Sequence, residues 1–212
     1  MNDTSKQSLG LWELSVLAVL RERPMHPYEI QRLLRERHKD EFLRLNRGSL
    51  YHAIRRLEAA GLISEKETTR EGLRPERTTY AITKTGAQTF VGWLKQLLAV
   101  PQPEVSSFAA SISFLVYLSP AEAIVELENR ITRLEEQIRQ FEVTITTVGP
   151  IAGRINLIEC EYSRAMAQAE VKWVRQVIGE LRSKKLTWDL EEILRQLRAV
   201  ASPHRQSKKP IK

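Results

Sequence analysis

Apolar side chains recur along most of this chain at helical spacing, and over one short stretch they alternate instead, which predicts a largely helical protein with a single small sheet. Residues 11 to 22 carry Leu11, Leu14, Val16, Leu17, Val19 and Leu20, too many for a surface helix, and Pro24 ends the run. A second helix starts at Pro27, where a missing N–H costs nothing, and buries Ile30, Leu33 and Leu34. A connection from Lys39 to Asn46 leads to a third helix, with Asn46 as its expected N-cap and Gly61 as its stop. Here Leu50, Ile54 and Leu57 share one face, while His52, Arg55 and Ala59 point the opposite way. Ser49 and Arg56 lie on one flank and Tyr51 on the other. From Leu62 to Thr69 and from Thr78 to Thr83 the chain turns Thr-rich and partly alternating, so these segments predict a two-stranded hairpin. A fourth helix over 84–98 follows Thr83 as its cap, with Ala87, Phe90, Val91, Leu94, Leu97 and Leu98 expected inward.

Val100-Pro101-Gln102-Pro103 is the clearest boundary, since two prolines in three residues stop a helix and stiffen the link. A short apolar helix over about Ser107 to Leu118 precedes Ser119-Pro120-Ala121-Glu122, a capping box with Pro at the first helical position. Ile124, Leu127, Ile131, Leu134, Ile138, Phe141 and Ile145 then follow at alternating spacings of 3 and 4. This heptad stripe predicts a dimerisation seam in which Arg130 faces a partner's Glu135 if the coil is parallel. The alternative is packing against the chain's own last long helix. Gly149-Pro150 should break the helix. A further helix from Ile151 to about Ser183 shows Ile155, Ile158, Tyr162, Met166, Ala169, Trp173, Val177 and Leu181 on one face, expected to be buried. Tyr162, Met166 and Trp173 join the stripe as dimerisation residues, the two long antiparallel helices of each subunit forming a four-helix unit. A last helix, Trp188 to about Val200, follows Thr187 as cap. The expected organisation is a disordered N-terminus (1–8), a DNA-binding domain (9–100), a helical dimerisation domain (104–201) and a basic disordered tail (202–212).

The chemistry lies on the third helix and the hairpin. A helix presenting Ser49, Tyr51, His52, Arg55 and Arg56 suits the major groove of B-DNA, where Arg and His read guanine O6 and N7 and hydroxyl groups reach phosphates. The hairpin tip holds Arg70, Arg74 and Arg77 around Gly72 and Pro75. A basic hairpin beside a basic helix is a winged helix-turn-helix, with the wing on phosphates or in the minor groove.

These residues resemble the PadR family of transcriptional regulators. The likeness rests on Leu14 to Leu20, Met25-His26-Pro27-Tyr28-Glu29-Ile30, Gly48-Ser49-Leu50-Tyr51 with Arg55-Arg56-Leu57-Glu58, and Gly61-Leu62-Ile63. It continues through Arg74-Pro75-Glu76-Arg77, Tyr80 and Ile82-Thr83-Lys84-Thr85-Gly86 and spans about residues 11 to 98. Two departures stand out: Pro27, where the family usually has Gly, and the acidic Glu76 within the wing motif. The resemblance implies a mainly α fold, a winged helix-turn-helix with a C-terminal helical dimerisation domain. It also implies homodimeric DNA binding, usually repression, often relieved by a small molecule near the dimer interface.

Charge agrees with a nucleic-acid partner. The chain holds 33 Lys+Arg against 26 Asp+Glu, formally +7, and residues 1–100 carry 17 basic and 12 acidic side chains. No apolar run approaches the roughly 18 residues of a membrane span, and the start of the chain lacks a signal-like core, so a cytoplasmic protein without membrane contact is expected. The lone Cys160 precludes an internal disulfide. His26, His38, His52 and His204 lack metal-ligand spacing, and there is no phosphate loop or nucleophile elbow, so neither enzyme activity, metal nor cofactor is expected. Trp93, Trp173 and Trp188 read as core packing rather than effector contacts. The expected function is a homodimeric repressor on a pseudo-palindromic double-stranded operator, answering to an unidentified small-molecule effector. A winged-helix protein-interaction module is the alternative.

Overall fold

Helix α1 (Leu11–Leu20) buries Trp12, Val16, Leu17, Val19 and Leu20, and the first half of the chain is built around it. The computed structural model describes residues 10–39, 47–69, 77–101 and 106–201. The chain divides into two units, Met1–Pro103 and Glu104–Lys212, so that the Pro-rich link falls at the division. Leu11, expected inside, is exposed, and Glu13 occupies an interior position of α1 instead.

Helix α2 (Pro27–Glu36) starts on a reciprocal cap: His26 Nδ1 accepts from the Tyr28 amide at 3.1 Å, and Glu29 accepts from the His26 amide at 3.0 Å. That amide bond holds the Glu29 carboxyl below the usual carboxylate range. The connection containing Asn46 lies outside the described residues. A 3-10 turn, Arg47–Ser49, enters helix α3 (Leu50–Ala59), whose Leu50, Ala53, Ile54 and Leu57 join the core with Ile30 and Leu34 of α2. Gly61 ends α3 with φ +67°, a region that costs glycine little. The Gly61 amide bonds the Glu58 carbonyl (2.8 Å) and the Leu62 amide the Leu57 carbonyl (2.9 Å), a paired closure that satisfies the last free carbonyls.

Strands β1 (Ile63–Thr69) and β2 (Arg77–Ile82) pair antiparallel, from Ile63 opposite Ile82 to Thr69 opposite Arg77, with a bulge at Lys66. Met25 adds a one-residue bridge to the other edge of β2: its N–H and C=O each bond Tyr80 at 3.0 Å. This ties the turn between α1 and α2 to the hairpin base. Helix α4 (Lys84–Ala99) starts behind Thr83, whose Oγ1 accepts from the Gly86 amide. Thr83 Oγ1 also donates toward the carbonyls of Gly61 and Leu62, seating α4 on the end of α3. Phe90 packs on the core, but Val91, Leu94 and Leu98, expected inward, are exposed. Past its first turns α4 has outrun the core of its own unit.

The second unit opens with α5 (Ser107–Ser113) and a 3-10 turn (Leu115–Tyr117), then α6 (Pro120–Ala152), α7 (Ile158–Arg182) and α8 (Leu190–Ala201). The capping box before α6 forms as expected between Ser119 and Glu122. Gly149-Pro150 does not break α6. The missing proline N–H costs one rung, the helix continues through Ala152, and it closes at Gly153 (φ +79°), whose N–H bonds the Gly149 carbonyl at 2.9 Å. A 3-10 turn (Arg154–Leu157) then precedes α7, which begins at Ile158 rather than Ile151. The cap of α8 is Asp189, not Thr187: Asp189 Oδ1 accepts from the amides of Glu191 and Glu192.

Helices α6 and α7 pack antiparallel along the heptad stripe. Leu127 is buried with Val174, Val177, Ile178 and Leu181, and Leu134 with Ala167 and Val171, while Ile124, Ile131 and Ile138 pack partly buried against these clusters. The charges flanking the stripe pair within the chain as well: Glu128 with Arg182, Glu135 with Arg175 and Arg130 with Glu170. Arg130 also lies over the Phe108 ring at 3.5 Å. Within one chain these charges pair across α6 and α7, and Ile124 to Ile138 pack against the chain's own last long helix, as the intramolecular alternative expects. These charged flanks are partly solvated, so they set register more than they stabilise.

Candidate nucleic-acid interface

Helix α3 carries its chemistry on the face opposite Leu50, Ile54 and Leu57. Tyr51, His52, Arg55 and Arg56 are exposed and Ser49 is half-buried at the start of the helix. Because α3 is pinned below by α1 and α2 and at its end by Gly61, the backbone holding these groups is rigid, as a reading helix requires.

His52 and Arg55, one turn apart, touch: Arg55 Nη2 lies 3.1 Å from His52 Nδ1. With a neutral ring, Nδ1 accepts from the guanidinium and Nε2 carries the proton, leaving an outward donor beside the remaining N–H groups of Arg55. Beyond Arg55 an open cleft of about 440 Å³ is lined by His26 and Pro27 from the start of α2, Tyr51 and Ile54 from α3, and Thr78 and Tyr80 from β2. Burial, with Glu58 and Glu65 nearby, pushes the Tyr80 phenol up, so it is a neutral donor at physiological pH.

Arg56 is engaged differently. Its Nε donates to Glu13 Oε1 at 2.6 Å and its Nη2 bonds the same oxygen, while Glu13 Oε2 accepts from the Gly10 amide at 2.8 Å. Sequence reasoning placed Arg56 among the DNA contacts and did not single out Glu13. The available signal was a carboxylate at an interior position of an otherwise apolar helix, which needs a partner. Arg70 and Arg74 lie outside the described residues. Arg77 opens β2 opposite Thr69, but its side chain is outside them too.

The predicted dimerisation residues separate into two groups. Ile124, Leu127, Ile131, Leu134 and Ile138 serve the α6–α7 contact, and Phe141 continues their stripe half-buried. Tyr162, Met166 and Trp173 stand on the outer side of α7, with exposures of 65%, 52% and 43%, and Ile155 and Ile158 extend that strip. The face of α7 that packs on α6 is Ala167, Val171, Val174, Val177, Ile178 and Leu181: Val177 and Leu181 are buried as expected, whereas Tyr162, Met166 and Trp173 lie about 100° from its centre. Trp173 meets Phe108 edge to face at 6.2 Å, and Trp188 Nε1 donates to the Leu118 carbonyl. Among the described residues no group of His, Cys, Asp and Glu has the makings of a metal site, and no helix is long and apolar enough to cross a membrane.

Three helices with a two-stranded wing, followed by a helical C-terminal region, define a winged-helix protein. Residues 16–91 match the transcriptional regulator PadR-like family, and the chain carries a PadR-like family domain. The fold is shared with Bacillus subtilis PadR in complex with operator DNA (TM-score 0.64, 17% identity, covering 81% of this chain and 99% of that one). It is shared equally with the same protein in complex with p-coumaric acid (TM-score 0.66, 15% identity, 81% and 99%). A PadR-like transcriptional regulator from Bacillus cereus has TM-score 0.54 at 20% identity, covering 82% of this chain and 99% of that one. No curated protein sequence matches the chain significantly.

Proposed function

We propose that this protein is a sequence-specific DNA-binding transcriptional regulator that acts as a homodimer, represses from a pseudo-palindromic operator, and is released by a small-molecule effector. The observation that carries the reading is the outer face of α3: a rigidly backed helix in a winged-helix domain presents the donors of Tyr51, His52 and Arg55 to solvent with little acidic competition. Ser49 and Tyr51 reach phosphates, Arg55 and His52 read base edges, and Arg70, Arg74 and Arg77 of the wing contact the backbone. Operator DNA and p-coumaric acid are bound by the Bacillus subtilis protein of the same fold, which supports duplex DNA and a small molecule as partners here.

The open apolar strip of α7 supports the homodimer. Ile155, Ile158, Tyr162, Met166 and Trp173 form a solvent-facing apolar surface, and a second copy covers such a strip with a two-fold symmetric contact. Two recognition helices related by that axis then meet successive major grooves about 34 Å apart. An effector releases the dimer only by favouring a different spacing of the two helices.

Footprinting of the purified protein across its own promoter region tests the reading. Two protected half-sites about one helical turn apart are expected. Weak protection without symmetry or sequence preference would leave a winged-helix protein-interaction module as the better description.

A further inference from the structure

Glu13 is the one fully buried charged side chain among the described residues, at 0% exposure within the apolar cluster of α1. A carboxylate so placed must find donors or lose its charge. It finds donors at both oxygens: one takes the Gly10 amide at the start of α1 and the other takes the Nε and Nη2 edge of Arg56. The two residues lie 43 apart in sequence, so the pair ties the first turn of α1 directly to the solvent-facing side of α3. Arg56 remains 49% exposed, on the face where Arg55 stands.

An arginine left loose at that rim has the reach and geometry to fork onto a phosphate, a contact that strengthens binding to every sequence alike. Pairing it with a buried carboxylate cancels its charge locally and turns its Nε edge inward. What then faces a duplex from the middle of α3 is the His52–Arg55 unit, whose donors suit the acceptor edge of guanine.

Resting on the DNA-binding reading above, we infer that Glu13 is a positioning residue that sets overall DNA affinity: it withdraws Arg56 from the DNA backbone, lowering affinity for every duplex alike and leaving base reading to His52 and Arg55. A phosphate contact adds the same free energy to operator and random duplex, so withholding it lowers affinity and salt dependence for both and leaves their ratio to the base-reading groups.

The experiment measures binding of the full chain to its footprinted site and to a random duplex across a salt series. Three proteins are compared: wild type, Glu13→Gln, and the double variant Glu13→Gln with Arg56→Gln, which removes both charges and leaves no unpaired ion in the core. Glu13→Gln is expected to free Arg56, steepening the log–log salt slope on both duplexes by about 0.9, the value of one phosphate contact, and tightening operator and random duplex alike by several-fold at low salt. The double variant is expected to return to the wild-type slope. A double variant shallower than wild type by about 0.9 would show that Arg56 already holds a phosphate, and an unchanged Glu13→Gln would show that nothing was withheld; either result overturns the inference. Should the variants not fold, the wild-type Arg56 Nε–H resonance decides the matter: it holds its position on operator binding if Glu13 keeps it and moves if DNA takes it. Wild type that binds operator and random duplex equally defeats the DNA-reading function itself, a result distinct from those of the variants.

Discussion

Arg55 and Arg56 are adjacent, chemically identical and exposed, yet one touches His52 on the surface and the other reaches down to a buried carboxylate. A helical wheel places both on the outer side of α3, because direction follows from spacing alone. The partner of Arg56 arrives from 43 residues earlier, and no local pattern announces it. Arg55→Ala is expected to weaken operator binding by about 1–3 kcal/mol, with the loss confined to one base position per half-site, while the melting temperature stays near wild type because the side chain is exposed. Anisotropy titrations against single-base operator variants check this, and wild-type affinity would refute it.

At the scale of elements, local signals placed four caps and stops correctly but missed at Thr187, where Asp189 caps instead, and at Gly149-Pro150, which the helix runs through. Thr83, Ser119, Pro27 and Gly61 each sit where their chemistry directed, since a cap depends on only four or five consecutive residues. Gly86 belongs to a different class. A Cβ there would lie 1.9 Å from the Leu62 carbonyl oxygen, so the start of α4 approaches the end of α3 too closely for any other residue. Gly86→Ala is expected to cost upward of about 2 kcal/mol, read as a lowered urea midpoint at unchanged m-value, because the obstacle is backbone and cannot rotate away. A midpoint equal to wild type would mean the corner opens freely. Helix α7 shows where periodicity is insufficient: it carries two apolar faces about 100° apart, and spacing marked the one with Tyr162, Met166 and Trp173 as buried when the smaller Ala167, Val171 and Val174 face lies against α6. Small and β-branched side chains let the two backbones approach, whereas the bulkier row is left outside.

For the whole molecule, the two faces of α7 separate folding from assembly. Ile131→Asp with Ile138→Asp places charges in the α6–α7 contact and is expected to cost more than about 4 kcal/mol, melting the helical unit. Tyr162→Asp with Met166→Asp touches only the open strip and is expected to give monomers of near-native helicity that no longer hold the operator. Light scattering with circular dichroism distinguishes the two, and dimers that survive the second pair would move the interface elsewhere. The order of elements, the winged-helix class and the basic bias of the first hundred residues were legible in the sequence, because hydrophobic period, capping chemistry and charge are written within a few residues of where they act. Which arginine of α3 is engaged by the core, which face of α7 meets α6, and whether the heptad charges pair within the chain were decided by the tertiary structure alone. Each depends on a partner dozens of residues away, and several partners of equal chemistry compete until packing selects one.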